Sequence, residues 1–276
     1  MASKINDLSK LSVHTQTTRP WGIEECAKNY SEAGIHGITL WRNVLENKNL
    51  KDIKSLLDDY DMKVVSLCRG GFFPSVNTTQ RESAIRDNLL AIEQAAALGA
   101  PSIVLVCGAD SGQTLEKSRE QIAEGIIRIL STAKSAGVKL AIEPLHPMYA
   151  GDRSAINTLK QANDMAEMIN SSLVGVAIDV YHLWWDDMLK YEIIRCAAQN
   201  HLFNFHVCDW NVPTNDFLND RGLMGYGCIN IQEIRSWVED TGFMGYNEVE
   251  IFSDKYWATD QKAYLEKIKH AYLTKT

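Results

Sequence analysis

The chain has 276 residues, 45% of them hydrophobic and 23% charged, an ordinary globular composition with length enough for the core of one large domain. A net charge of −7 and a pI near 5.5, with lysines and arginines scattered and no basic block, exclude nucleic acid or anionic lipid as the main partner. No apolar run approaches membrane-spanning length and the first seven residues lack the apolar stretch of a signal peptide, so a cytoplasmic protein is expected.

In chain order, residues 11–15 read as a strand. Pro20-Trp21-Gly22 opens a helix through Tyr30, closed by Ala33-Gly34. Residues 35–41 form a second strand, 50–60 a helix and 62–67 a third strand. Gly70-Gly71 and Pro74 then mark a loop. Residues 81–98 have apolar side chains at helical spacing and Gly99 as a stop. A fourth strand spans 102–107, and a helix over 115–136 ends at Gly137. The fifth strand, 138–143, ends in Glu143, and Pro144 stops further pairing. Ser154 is placed to cap a helix running to Ile169. The sixth strand, 174–179, is followed by a helix over 187–199 and a seventh strand over 202–207. The segment 209–230 carries Pro213, Gly222, Gly225 and Gly227, and reads as a loop long enough to have a task of its own. A helix over 231–240, a strand over 248–251 and a helix over 260–272 complete the chain. Six cysteines show no C-x-x-C pair and read as reduced core thiols.

Strand and helix alternate eight times without a linker, which predicts a (β/α)8 barrel as a single domain over residues 1–276. A doubly wound open sheet is the rival, but no Gly-rich phosphate fingerprint follows the first strand. In a barrel the carboxyl ends of all strands share one face. Glu143, Asp179, His206 and Glu250 stand at four such ends and would converge there. Singly, each reads as a cap or a surface charge. Together, three carboxylates at one place need a compensating cation. Oxygen ligands with one imidazole suit Mn²⁺ first, then Mg²⁺, Co²⁺ or Fe²⁺.

Five segments carry a family resemblance: Ala141-Ile142-Glu143-Pro144, Ile178-Asp179-Val180-Tyr181-His182, His206-Val207-Cys208-Asp209, Arg221 with Gly225-Tyr226-Gly227, and Glu248-Val249-Glu250-Ile251. The chain resembles the xylose-isomerase-like barrel family, the sugar phosphate isomerase/epimerase group, over essentially its whole length. The resemblance implies that Glu143, Asp179, His206 and Glu250 hold one divalent ion. It implies that His182 and Arg221 bind substrate oxygens, and that the substrate is a keto-sugar. In the family's ketose 3-epimerases, Glu143 and Glu250 would share the proton transfers. Those enzymes carry a further glutamate where this chain reads His146-Pro147-Met148-Tyr149, so His146 is the candidate base.

The segment from Glu143 to Ser154, together with Asp209-Trp210 and the stretch from Asn219 to Gly225, resembles more closely the large subunit of bacterial C-glycoside deglycosidases. That resemblance implies a 3-oxo-C-glucoside substrate, loss of the C2 proton, an enediolate, and β-elimination of the anomeric C–C bond. It also implies pairing with a small β-sheet subunit; otherwise a homo-oligomer is expected. An isomerase or epimerase would begin with the same enolisation. Trp184-Trp185 reads either as core or as an aromatic wall for a ring. Trp41 and His14 are further pocket candidates, and Arg153 reads as an ion-pair partner of Asp152.

Overall fold

The structure, a computed structural model, describes residues 4–276. Eight parallel strands close one barrel: β1 Leu11–His14, β2 Gly37–Trp41, β3 Lys63–Gly71, β4 Ser102–Val106, β5 Lys139–Glu143, β6 Val174–Asp179, β7 Leu202–Val207 and β8 Asn247–Val249. Neighbours in sequence are neighbours in the barrel, and β8 pairs with β1 to close it. Helices α1 Ile23–Glu32, α2 Leu50–Asp59, α3 Thr78–Leu98, α4 Leu115–Ala136, α5 Leu159–Ile169, α6 Leu189–Ala198, α7 Ile231–Asp240 and α8 Gln261–Lys275 follow the strands. The expected fold class holds.

Local chemistry sets the helix ends. Asn77, Thr114, Thr158 and Asp260 accept backbone N–H groups at helix starts, while Gly99 and Gly137 adopt left-handed φ values of 73° and 68° at helix ends. Three expectations need correction. Gly70-Gly71 is not a loop but the end of β3, where Gly71 is left-handed and a Cβ would meet the Val106 carbonyl at 1.9 Å. Ser154 does not cap α5: its hydroxyl donates to the Ile156 carbonyl, and Thr158 is the cap. The segment 209–230 is not wholly irregular, since Asp209–Trp210 and Arg221–Gly222 pair as an antiparallel ribbon.

The main apolar core lies between strands and helices, with Ile38, Leu40, Leu105, Ile142, Val176 and Val249 facing outward from the barrel into it. The barrel's bore is unusually polar. Ser12, Thr39, Ser66, Ser102, Asn204 and Glu248 are all buried, where barrels of this class commonly carry branched apolar side chains. All six cysteines are free, and five are buried as expected, but Cys228, in the segment after β7, is exposed rather than core. Among the described residues, no helix is long and apolar enough to cross a membrane.

Candidate metal centre

Strand period places the site. Side chains two apart on a strand share a face, so His206 follows Asn204 into the bore and Glu250 follows Glu248. Asp179 and His206 stand opposite each other in register on β6 and β7. The result is the predicted convergence: ligand atoms of Glu143, Asp179, His206 and Glu250 all lie within 4.8 Å of one another, and all four side chains are buried. A divalent ion with bonds near 2.1 Å needs ligand atoms roughly 3–4 Å apart, so the spacing suits one ion.

The hydrogen-bond accounting points the same way. His206 Nδ1 and Glu143 Oε1 approach to 3.0 Å, yet both are buried without a hydrogen-bond partner. Buried polar atoms without partners are rare and call for an occupant. Donor type, spacing and these unpartnered atoms fit a divalent cation. They do not choose among Mn²⁺, Mg²⁺, Co²⁺ and Fe²⁺.

Arg221 arrives from the ribbon and partly answers the charge. Its Nη1 donates to Asp179 Oδ2 at 3.0 Å and to Glu250 Oε2 at 2.8 Å. Its guanidinium lies 4.4 Å from the Tyr181 ring centre and 4.9 Å from that of Phe252. Its Nη2 is 3.4 Å from His182 Nε2, and His182 Nδ1 is buried without a partner. The loop is pinned to hold Arg221 there. Asp209 accepts N–H groups from Trp210, Gly225, Gly227 and Ile229 at 2.8–3.0 Å. Tyr149 and Tyr181 hydroxyls both donate to the Phe217 carbonyl, at 2.6 and 2.8 Å.

Titration follows this crowding. Burial raises the Asp179 carboxyl to about 7, with Glu250 and Glu143 adding to the effect and Arg221 opposing it. Burial also raises Glu250, but the charges of His14 and Arg221 overcome it and hold that carboxyl well below the usual range. For His206, burial opposes the charge, while contact with Glu143 and the charges of Glu248 and Glu250 win and push it up to about 10. Burial and the Arg221 charge drive His182 well below the usual imidazole range, so it is neutral.

The other candidates fall in two groups. His14 is fully buried with Nδ1 3.1 Å from Glu250 Oε1, and the Trp41 indole N–H donates to the same nitrogen at 3.1 Å. His146, Trp184 and Trp185 instead gather around Trp210. His146 lies 5.3 Å from the Trp210 ring centre and 5.7 Å from Trp185, and Trp184 lies 5.6 Å from Trp210. His146 is not among the clustered ligands. It caps a single turn of helix, its Nδ1 accepting the Met148 N–H at 3.2 Å, and burial lowers its pKa. Arg153 sits 3.9 Å from Asp152, the expected partner.

Sequence reasoning passed over Glu248. Its carboxylate accepts from Thr39, Ser66 and Asn204 at 2.6, 2.6 and 2.8 Å, and lies 3.8 Å from both His14 Nε2 and His206 Nε2. The signal was the two-residue spacing to Glu250 on one strand. Beside the site, a cavity of about 550 Å³ opens at the barrel mouth. Its walls include Trp41, Cys68, Phe252 and Trp257, and Cys68 Sγ lies within 4.8 Å of a Glu250 oxygen.

No curated protein matches the chain. A Sinorhizobium meliloti 1021 protein of solved structure is 41% identical, covers 98% of this chain and 99% of its own, and superposes with a TM-score of 0.94. The IOLI protein with a bound zinc atom is 20% identical over 96% of each chain, with a TM-score of 0.83. The 3-keto-D-glucoside 4-epimerase YcjR of E. coli is 19% identical over 96% of this chain and 98% of its own, with a TM-score of 0.78. At 20% and 19% identity, these last two likenesses show the fold alone. The model of the xylose isomerase-like TIM barrel matches residues 27–273, and with the barrel and its buried ligand set the chain belongs to that family.

Proposed function

We propose that this chain is a divalent-metal-dependent enzyme that enolises a keto-sugar, and that its specific reaction is β-elimination cleaving the C–C bond of a 3-oxo-C-glucoside. The observation that carries the reading is the buried ring of Glu143, Asp179, His206 and Glu250 with Arg221 and His182 beside it. A bound divalent ion would polarise the ketone and offset negative charge developing on its oxygen.

The chain's own residues supply the rest. Glu143 and Glu250, two carboxylates of that ring, would take and return the proton next to that carbonyl. Arg221 offers N–H groups to substrate oxygens, and neutral His182 has an unpartnered nitrogen beside it. The Met148 N–H takes the lone pair of His146 Nδ1, which leaves the proton of the neutral ring on Nε2. In that tautomer His146 offers Nε2–H as a hydrogen-bond donor to a substrate oxygen, and the proton taken from C2 is the one available to a departing aglycone. It serves as the base only after the ring releases Met148. The cavity beside the site gives room for an aglycone as well as a sugar.

A second reading, a keto-sugar isomerase or epimerase, starts from the same enolisation, and the likeness to a 3-keto-D-glucoside 4-epimerase favours it. The deciding experiment is to purify the protein from its native host with any small β-sheet partner, then assay 3-oxo-C-glucosides beside simple ketoses. Release of the aglycone supports the lyase. Turnover of ketoses alone leaves the isomerase or epimerase.

A further inference from the structure

Three arginines line the cavity at the barrel mouth, and they are not equivalent. Arg42 is fully engaged: its guanidinium donates to both oxygens of Asp87, at 2.7 and 2.8 Å, and to Gln94 at 2.7 Å. Arg69 and Arg19 have no such partners. Among the described residues, neither guanidinium pairs with a carboxylate, and each lies over an aromatic face instead. Arg69 is 4.1 Å from the Phe72 ring centre and Arg19 is 4.9 Å from that of Trp257. Stacking uses the face of a guanidinium and leaves its in-plane N–H fork free.

Arg69 is half-buried, at the end of β3, next to Cys68. Burial and the neighbouring charges of Arg153 and Arg42 all work against its cationic form. Guanidinium does not deprotonate in proteins, so such a residue gains most from an incoming anion. Nor would the metal ring repel one. Its three carboxylates would be balanced by a divalent ion and Arg221 together. Trp41, Phe252 and Trp257 give the same cavity flat apolar walls.

We infer that this cavity holds an aromatic carboxylate, borne by the part of the substrate remote from the reacting carbonyl, with Arg69 as its main partner and Arg19 as a second. The inference rests on the proposed keto-glycoside reading and narrows it to a substrate whose aglycone is an aromatic acid. A carboxylate matches the guanidinium fork with two parallel hydrogen bonds.

The test uses probes without a sugar or a ketone. 4-Hydroxybenzoate, its neutral analogue 4-hydroxybenzamide and the cationic 4-hydroxybenzamidine are titrated into the Mn²⁺-loaded full chain, followed by tryptophan fluorescence. The expected order is anion, then neutral, then cation, with the anion favoured over the amide by on the order of tenfold or more. Arg69→Met removes that preference and Arg19→Met reduces it. Arg128→Met, on the outer α3–α4 seam where Arg128 pairs with Glu82, leaves it unchanged. Equal binding of the three probes overturns the inference, as does a preference that survives Arg69→Met with Arg19→Met. Should the variants fail to fold, the order of the three probes on the unmodified chain decides. If 3-oxo-C-glucosides turn over without any anion preference, this inference alone falls. If the preference is present and no keto-sugar turns over with any divalent metal, the anion site stands and the proposed reaction falls.

Discussion

Glu248 and Glu250 stand two residues apart, both buried and both turned into the barrel bore, yet they lead opposite lives. Glu248 takes its hydrogen bonds from neutral donors, two hydroxyls and an amide, with His14 and His206 no nearer than 3.8 Å. Glu250 has only cationic or titratable partners, Arg221 and His14, and it shares its space with two further carboxylates. A carboxylate whose lone pairs are filled by fixed neutral donors is part of the scaffold. One that needs cations from several sides is part of a site that expects a charge. The same residue type and burial, two residues apart at the end of β8, thus serve two purposes, and the neighbours decide which.

The largest effect should come from breaking the ring of Glu143, Asp179, His206 and Glu250. Metal analysis of the native protein should give about one divalent ion per chain, and Glu143→Ala or His206→Ala should lose it. Turnover should then fall by at least roughly 10²–10³. A fully active chelated enzyme would end the account. Next, Glu248→Ala should keep the ion but strand three buried donors, lowering stability by about 3–5 kcal/mol in denaturant titration. Ion loss with unchanged stability would mean that Glu248 belongs to the metal-binding ring after all. His146→Ala should keep both ion and stability while turnover drops by roughly 10². Wild-type rates would remove His146 from the chemistry.

The smallest effect is on pH dependence, and it tests the ligand ring without mutation. In the chelated protein, Asp179 is raised to about 7 and His206 to about 10, so each holds more protons folded than unfolded, while His182, held well below its ordinary value of 6.5, holds fewer. Stability from Asp179 is then complete below the unfolded carboxyl value and is lost as pH rises towards 7. That from His206 is complete below the unfolded imidazole value and is lost as pH rises towards 10. Below the ordinary imidazole value of 6.5 the depressed His182 offsets Asp179, so thermal melts of chelated protein should stay nearly flat up to there and fall from there to pH 9. Those of the Mn²⁺-loaded protein should stay flatter, because the ion replaces the protons. Parallel curves would show that the ion binds elsewhere.

Much of this was legible in the chain. Alternating strands and amphipathic helices, two of the helices closed by Gly99 and Gly137, specify eight β/α units, because burying one face of each element admits few other arrangements. Four strand ends bearing ligand-type side chains then specify the ring, because parallel closure brings all carboxyl ends to one face. Even Glu248 was readable from its two-residue spacing to Glu250, although spacing alone does not reveal that neutral donors complete it. What tertiary structure decided is everything delivered by loops. Arg221 reaches Asp179 and Glu250 because Asp209 gathers four backbone N–H groups from a segment with no periodicity of its own. Which nitrogen of His146 is free depends on one hydrogen bond to Met148. Arg42 and Arg69 look alike in the sequence, and only Asp87, arriving from α3, satisfies one and leaves the other open to a ligand. Period and composition fix which face a side chain takes, while its partners come from distant segments whose approach is set by packing the whole chain.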